Sequence, residues 1–329
     1  MIAILVITLP IIIALIATFT GSLYGIRFAT SILMWIALAE SLNTVTGYIG
    51  RIHFGHVMFF GIGAYVAALV YLHLGISYYL SILIAPLVAI MLSVIIGYPT
   101  LRLHGAYFAI ATWAFAEMLK QISLNIEFLG KGYGIPLKIE ISDLTVLYLM
   151  ALIAMISIMI NIFIEKTRFG RAFTAIRDNE LVASSMGVNT TLYKLLAYAM
   201  SSIPSSLAGA LYVFWIKYIY GGDVFAGIKT DTMFVMLLLG GMGNFAGPLI
   251  GAILFGVAYE ILWSVIGEQL YMILLGILIM LLVLFMPYGI SGLIGLRSVS
   301  IKQLILSITP KELTEKYKVI AEQKKHVTR

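Results

Sequence analysis

The stretch EKTRFGRAFTAIRDNELVASSMGVNTTLYK, Glu165 to Lys194, is the longest charged interruption in an otherwise oily chain. Lys166, Arg168, Arg171, Arg177 and Lys194 lie in it, against Glu165, Asp178 and Glu180. The flanking segments, Leu144 to Ile164 and Leu195 to Ile216, are apolar enough to cross a bilayer. The first would be about 31 Å long at ~1.5 Å per residue, the depth of the hydrocarbon core. A basic loop between spans stays on the cytoplasmic side during insertion, so this loop sets the orientation of the chain. It also carries a folded pattern. Phe169, Ala172, Phe173 and Ile176 recur at i, i+3, i+4, i+7, one face of a short helix. Asp178-Asn179 can end that helix and cap a second. In the second, Leu181, Val182, Ser185 and Met186 form a small stripe, and Gly187 is placed as a C-terminal cap. Two short amphipathic helices on the cytoplasmic face predict a docking surface for another protein.

Composition agrees with the membrane reading. Of 329 residues, 61% are hydrophobic and 11% charged, where a soluble domain carries roughly 25% charged residues. Mean hydropathy is +1.04. The net charge of +6 follows from positive-inside bias, with the excess in the loop and the C-terminal tail, and does not imply a nucleic-acid partner. Cysteine is absent, which excludes a disulfide framework and a thiolate metal site. There is no G-x-x-x-x-G-K-[ST], no G-x-S-x-G and no H-E-x-x-H, so no ATP site of that kind and no catalytic residues are expected. Histidines 53, 56, 73, 104 and 326 lack metal-ligand spacing beside carboxylates. His53 and His56 can share a helix face and are expected to be packing or interface residues; no cofactor or metal is expected.

Outward from the loop, the chain divides into apolar segments. Ile2 to Phe19 is read as a first span, because no Lys or Arg precedes it as in a signal peptide. Ile26 to Thr46 is a second. Gly47 to Leu69 is glycine-rich and reads either as a broken or re-entrant element feeding a helix from about His56 to His73, or as simple glycine-mediated packing. Tyr78 to Gly97 and Ala106 to Gln121 follow, then a mixed loop, Asn125 to Asp143. Beyond the charged stretch, a kink is expected at Ser201 to Ser206. Thr232 to Leu239 is too short to cross alone and meets a second break, Gly240 to Gly247. Two helices, Pro248 to Ile266 and Gln269 to Met286, precede a basic tail, giving a transmembrane domain over 1–296 and a tail over 297–329. With both termini inside and the short Thr232 segment counted as a crossing, ten crossings place Arg51, Arg102, the charged loop and the tail on the cytoplasmic side, while a re-entrant Thr232 segment would leave nine full spans; Arg27 fits poorly. The two glycine breaks echo each other, a pointer to a substrate path in transporters. Ionisable residues inside apolar segments are few: Glu40, Glu117, Lys120 and Glu260, with Glu117 and Lys120 spaced to pair at i, i+3. That scarcity argues against an ion-coupled secondary transporter.

Several motifs then agree in order. Leu42-Asn43 with Gly47-Tyr48-Ile49-Gly50 and Phe54-Gly55-His56…Phe59-Phe60-Gly61-Ile62-Gly63-Ala64-Tyr65 form one. Leu101-Arg102-Leu103…Gly105-Ala106-Tyr107-Phe108-Ala109 to Phe115-Ala116-Glu117 form a second, and Thr167-Arg168-Phe169-Gly170-Arg171-Ala172 to Gly187 a third. Gly240-Gly241-Met242-Gly243…Gly247-Pro248 and Met286-Pro287-Tyr288-Gly289 complete the set. In this order they resemble the permease subunits of ABC importers for branched-chain amino acids, of the LivM type. The resemblance implies an all-α integral membrane protein with the ABC importer permease fold and about ten transmembrane helices, in the plasma membrane with cytoplasmic termini. It implies a second, H-type permease, two cytoplasmic ATPase subunits and an extracytoplasmic binding protein as partners. ATP and Mg would reside on the ATPases. The cargo would be Leu, Ile or Val; related permeases for urea, short amides or other amino acids look similar. The loop would be the ATPase-coupling element, with Arg168, Phe169, Gly170, Arg171, Arg177, Glu180, Ala183 and Gly187 its expected contacts. Glu180 and Gly187 stand one residue further apart than in the general importer pattern. Asn43, Gly55, His56 and Phe60, with Gly240, Gly241 and Gly243, are expected to line or shape the substrate path.

Overall fold

The computed structural model describes residues 2–103, 105–286 and 288–293. The basic tail beginning at Arg297, His104 and Pro287 lie outside the described residues. The chain runs α1 (Ile2–Thr20), α2 (Leu23–Asn43, extended by a π-helical turn Thr44–Ile49), α3 (Val57–Leu74), α4 (Tyr78–Thr100), α5 (Ala106–Asn125) and α6 (Asp143–Lys166). The charged loop forms α7 (Arg168–Asp178) and α8 (Glu180–Ser185). Then come α9 (Thr190–Ile216), α10 (Gly221–Val224), α11 (Gly227–Gly240), α12 (Gly247–Phe285) and α13 (Gly289–Leu293).

Helix α2 is the axis of the molecule. With its π extension its apolar window is 94% buried, and α1, α6, α9, α11 and α12 all pack on it. It can carry Ser31, Glu40, Ser41, Asn43, Thr44 and Thr46, all buried, because no face of it meets lipid. Outer helices show the opposite pattern. On α4, Leu80, Leu83, Leu87, Met91 and Val94 are exposed, at the three- and four-residue spacing of one helix face. On α1, Ile12, Leu15, Ile16 and Phe19 are exposed likewise. An apolar surface of this extent has no stable place in water and fits the acyl chains of a bilayer. Among the described residues, five helices are long and apolar enough to cross: α2 with its extension, α3, α4, α6 and α9. The chain is an integral membrane protein.

One expectation changes. The segments read as separate helices on either side of Gly267-Glu268 form one continuous helix, α12, so the two crossings expected there become one helix. Glycine costs a helix interior only about 1 kcal/mol, and no proline is present there to remove an amide donor. Pro204, at the centre of the expected kink, lies inside α9, which runs on through it. There Ser201, Ser202 and Ser206 donate their hydroxyls to carbonyls one turn back. The mixed loop Asn125 to Asp143 meets the segment that follows α9, in a two-stranded antiparallel ribbon. Its strands are β1 (Ile135–Pro136) and β2 (Tyr218–Ile219), in register Ile135 to Ile219. Arg27, which fits the charge rule poorly, is paired with Asp143 at 3.1 Å, so its charge is locally balanced. Glu117 and Lys120 pair at 3.5 Å as their spacing predicts.

Candidate functional site

The charged loop and both glycine breaks come together in one place. The π turn at the end of α2 stops at Gly50, whose φ of +76° is a left-handed conformation that glycine adopts without strain. A Cβ there would stand 2.5 Å from Arg177 Cγ. Gly50 therefore leaves the slot through which Arg177 reaches Gly47, whose carbonyl accepts from Arg177 Nη1 at 3.1 Å. A cation at the carbonyl end of an interrupted helix is favourably placed against the helix dipole.

Asn43 ties this break to the second one. Its Nδ2 donates to Asn161 Oδ1 at 3.1 Å and to the Asn244 carbonyl at 3.0 Å, while its Oδ1 accepts from Gly243 N at 3.0 Å. Gly47 must lack a side chain, because a Cβ would lie 1.9 Å from Asn43 Oδ1 and 2.7 Å from Gly243 N. Asn244 Oδ1 in turn accepts from the N–H groups of Ala246 and Gly247 and so caps α12. Glu165, the first residue of the charged loop, accepts from Tyr48 Oη at 3.3 Å in the first break and from Phe245 N at 3.2 Å beside the second. Glu40, one helical turn above Thr44, is fully buried. Its two oxygens have no hydrogen-bond partner among the described residues.

The loop itself is keyed down by its apolar stripe. Ala172, Phe173 and Ile176 are buried, with Phe169 half-buried, and Phe173, Ile176 and Ala183 share a cluster with Tyr48, Ile49, Ile164 and Ala197. The stripe expected to form a docking surface thus faces the chain's own bundle. Gly170 is buried because its backbone abuts the Ile164 carbonyl, 2.2 Å from where a Cβ would stand. Glu180 closes the other side: it holds Lys194 Nζ at 2.6 Å and Arg51 Nη2 at 2.5 Å. Burial raises the Glu180 carboxyl, but the hydrogen bonds and charges of Lys194 and Arg51 together outweigh it and hold it below the usual carboxylate value. What the loop presents outward is Arg168 and Arg171, with Leu181, Val182 and Met186 of the second stripe. Gly187, at φ +85° with open space around it, ends that surface.

The expected path residues sit behind this junction. His56 is buried and hydrogen-bonded to Ser41 Oγ through Nε2 at 2.6 Å and to His53 through Nδ1 at 3.0 Å; His53 Nε2 meets Tyr198 Oη at 2.7 Å. Phe60 is buried against Tyr212. Gly240 and Gly241 pack tightly on Gly247 and Ser291. Gly55 abuts the Thr112 carbonyl of α5, 1.9 Å from where a Cβ would stand. These residues shape the packing around the breaks, and Asn43 and Gly243 join them. Sequence reasoning missed Arg51, Asn161, Lys194 and Asn244 as members of the junction. The spacing of a chain cannot reveal partners more than a hundred residues apart, such as Arg51 and Glu180.

Coated with lipid-facing side chains and interrupted inside at two glycine-rich breaks, such a chain has the build of a membrane permease. It belongs to the family described as the branched-chain amino acid transport system permease component, whose model matches residues 24–284. It is 27% identical over 312 residues to the high-affinity branched-chain amino acid transport system permease protein LivM of Salmonella typhimurium, covering 85% of this chain and 73% of that one. To LivM of Escherichia coli K12 it is 28% identical over 297 residues, covering 80% and 69%. To LivH of the same organism it is 30% identical over 151 residues, covering 45% and 46%. No solved structure matches.

Proposed function

We propose that this chain is the M-type translocating subunit of an ATP-driven importer for leucine, isoleucine and valine in the plasma membrane. Its charged loop lies in the cytoplasm. It pairs with a related H-type permease, two cytoplasmic ATPase subunits and an extracytoplasmic binding protein, and it works by alternating access. The observation that carries this reading is the junction. Arg177 of the charged loop holds the first break and Glu165, at the end of α6 where the loop begins, joins it to the second, so a force applied to the loop is delivered to the two points where the bundle can hinge. Arg168, Arg171, Leu181, Val182 and Met186 are the surface through which an ATPase would apply it. Membership of the permease family supports the cargo class.

Co-purification under mild detergent tests the partnership, and uptake tests the work. Arg168→Glu with Arg171→Glu should reduce leucine uptake at least tenfold while this chain still reaches the membrane. Retention of wild-type uptake by that variant, or the absence of any ATPase chain from the complex, would sink the coupling reading. The cargo is settled by the associated binding protein, tested for thermal shift with leucine, isoleucine, valine and urea. A shift with urea alone would assign the permease to short amides.

A further inference from the structure

Next to the first break, Phe54 turns outward and forms one wall of a groove of about 360 Å³. The other walls are Ala106, Ala109, Ile110 and Trp113 of α5, with Asp231 of α11. Phe54 is braced by Phe234 at a ring separation of 5.0 Å. Phe54, Ile110 and Trp113 are all exposed on this side of the molecule, and the volume suits a small ligand. The lining is apolar apart from one carboxylate. Asp231 makes no hydrogen bond or ion pair among the described residues, and Lys229, two positions away on the same helix, is already committed to Asp223. An unpaired acid in an apolar groove of a membrane protein is costly to hold and calls for a cation.

We propose that this groove is the chain's half of the cargo site. Asp231 receives the α-ammonium group of an amino acid whose branched apolar side chain lies against Phe54, Ile110 and Trp113. The assignment rests on the amino-acid cargo reading above and adds the recognition element to it. Two properties of the groove fit that cargo together: its walls match a short hydrocarbon side chain, and its single charge matches an ammonium. No basic residue lines it, so the ligand carboxylate is left for the facing permease chain, and the site is incomplete without that chain. A neutral amide such as urea can donate N–H hydrogen bonds to Asp231 but brings no positive charge to offset it, as an ammonium does. The groove is also wired to the junction. Trp113 follows Thr112, whose carbonyl rests directly on Gly55, so displacement of the break moves the groove wall with it.

The test uses the assembled importer in proteoliposomes with its binding protein in excess. Asp231→Asn should lower leucine uptake at least tenfold with the complex recovered in wild-type amount, and Asp231→Glu should restore part of it. Leucine uptake by Asp231→Asn equal to wild type overturns the groove assignment alone. A wild-type importer that moves urea but not leucine overturns the cargo reading, and this assignment with it. A second variant keeps the test open should Asp231→Asn assemble poorly. The chain has no cysteine, so Ile110→Cys is a clean reporter on this subunit. A cationic, water-soluble methanethiosulfonate should label it, and leucine-loaded binding protein with ATP should slow the labelling at least fivefold. A cysteine there that stays unreactive in every nucleotide state, packed against lipid or the facing chain, overturns the proposal.

Discussion

Replacing Glu180 by glutamine keeps the shape of the side chain and removes its charge. In the wild type that charge holds Lys194 at 2.6 Å and Arg51 at 2.5 Å, with the Lys194 side chain 5% exposed and the Arg51 side chain 13% exposed. Breaking a buried pair from one side costs roughly 3–5 kcal/mol, because the surviving charge keeps its desolvation penalty. Two features lower that figure here. The Glu180 side chain is 23% exposed, so water reaches the gap. Lys194 also keeps its bond to the Leu101 carbonyl at 3.1 Å. About 2–3 kcal/mol remains, and it falls on the seating of α8 against the bundle. At ~1.4 kcal/mol per decade that is about a 30- to 160-fold shift toward the undocked loop. Hydrogen exchange of the backbone amides over 179–188 reads it directly. Adding Lys194→Met to Glu180→Gln should recover part of the loss, because one of the two stranded cations is then gone while Arg51 remains. Exchange within about twofold of wild type in Glu180→Gln, or no recovery in the double variant, would refute the clamp.

Acid should mimic that substitution. Because the folded-state Glu180 carboxyl titrates below its ordinary value of 4.5, its contribution is complete above that value and is lost as pH falls through the lower folded-state value. Limited proteolysis of the loop by an acid-tolerant protease should therefore stay slow from about pH 7 down to the ordinary carboxyl value of 4.5 and accelerate as pH falls further; cutting rates that do not rise on that further fall would contradict the assignment. Gly55→Ala and Gly187→Ala make a matched pair. The first forces a Cβ to 1.9 Å from the Thr112 carbonyl, while the second meets nothing within 4 Å. Gly55→Ala should cost several kcal/mol, against about 1 kcal/mol for the unfavourable φ at Gly187. Thermal unfolding in detergent compares them, and equal losses would mean that α5 is not seated on the break.

The fold was largely legible because membrane helices announce themselves by length and hydropathy. The charged loop was readable to the level of its two helices and of Asn179, which caps the second by accepting from Leu181 N and Val182 N. Its orientation was not. The stripe of Phe169, Ala172, Phe173 and Ile176 has the same periodicity whether it meets a partner or its own bundle. Tyr48 on the extension of α2 and Ile164 on α6 decide the matter, and Tyr48 lies more than a hundred residues away in sequence. The glycine echo between the two breaks was visible, whereas the contact between Gly47 and Gly243 that explains it depends on where Asn43 points. Asp231 escaped notice because it stands just ahead of a segment judged too short to cross. Its significance comes from α5, which lies beside it only in the folded chain.

The burial of α2 has a consequence for how the protein is made. It leaves the ribosome early, yet the Ser41 and Asn43 side chains find their hydrogen-bond partners on His56, α6, α9 and the turn before α12, and the buried Glu40 carboxylate finds none within α2. In a bare bilayer those side chains would face hydrocarbon, where each is costly. A nascent α2 thus has no comfortable lipid environment until helices from the second half of the chain arrive. Its biogenesis requires shelter, from insertion machinery or from a waiting partner, over the synthesis of some two hundred residues.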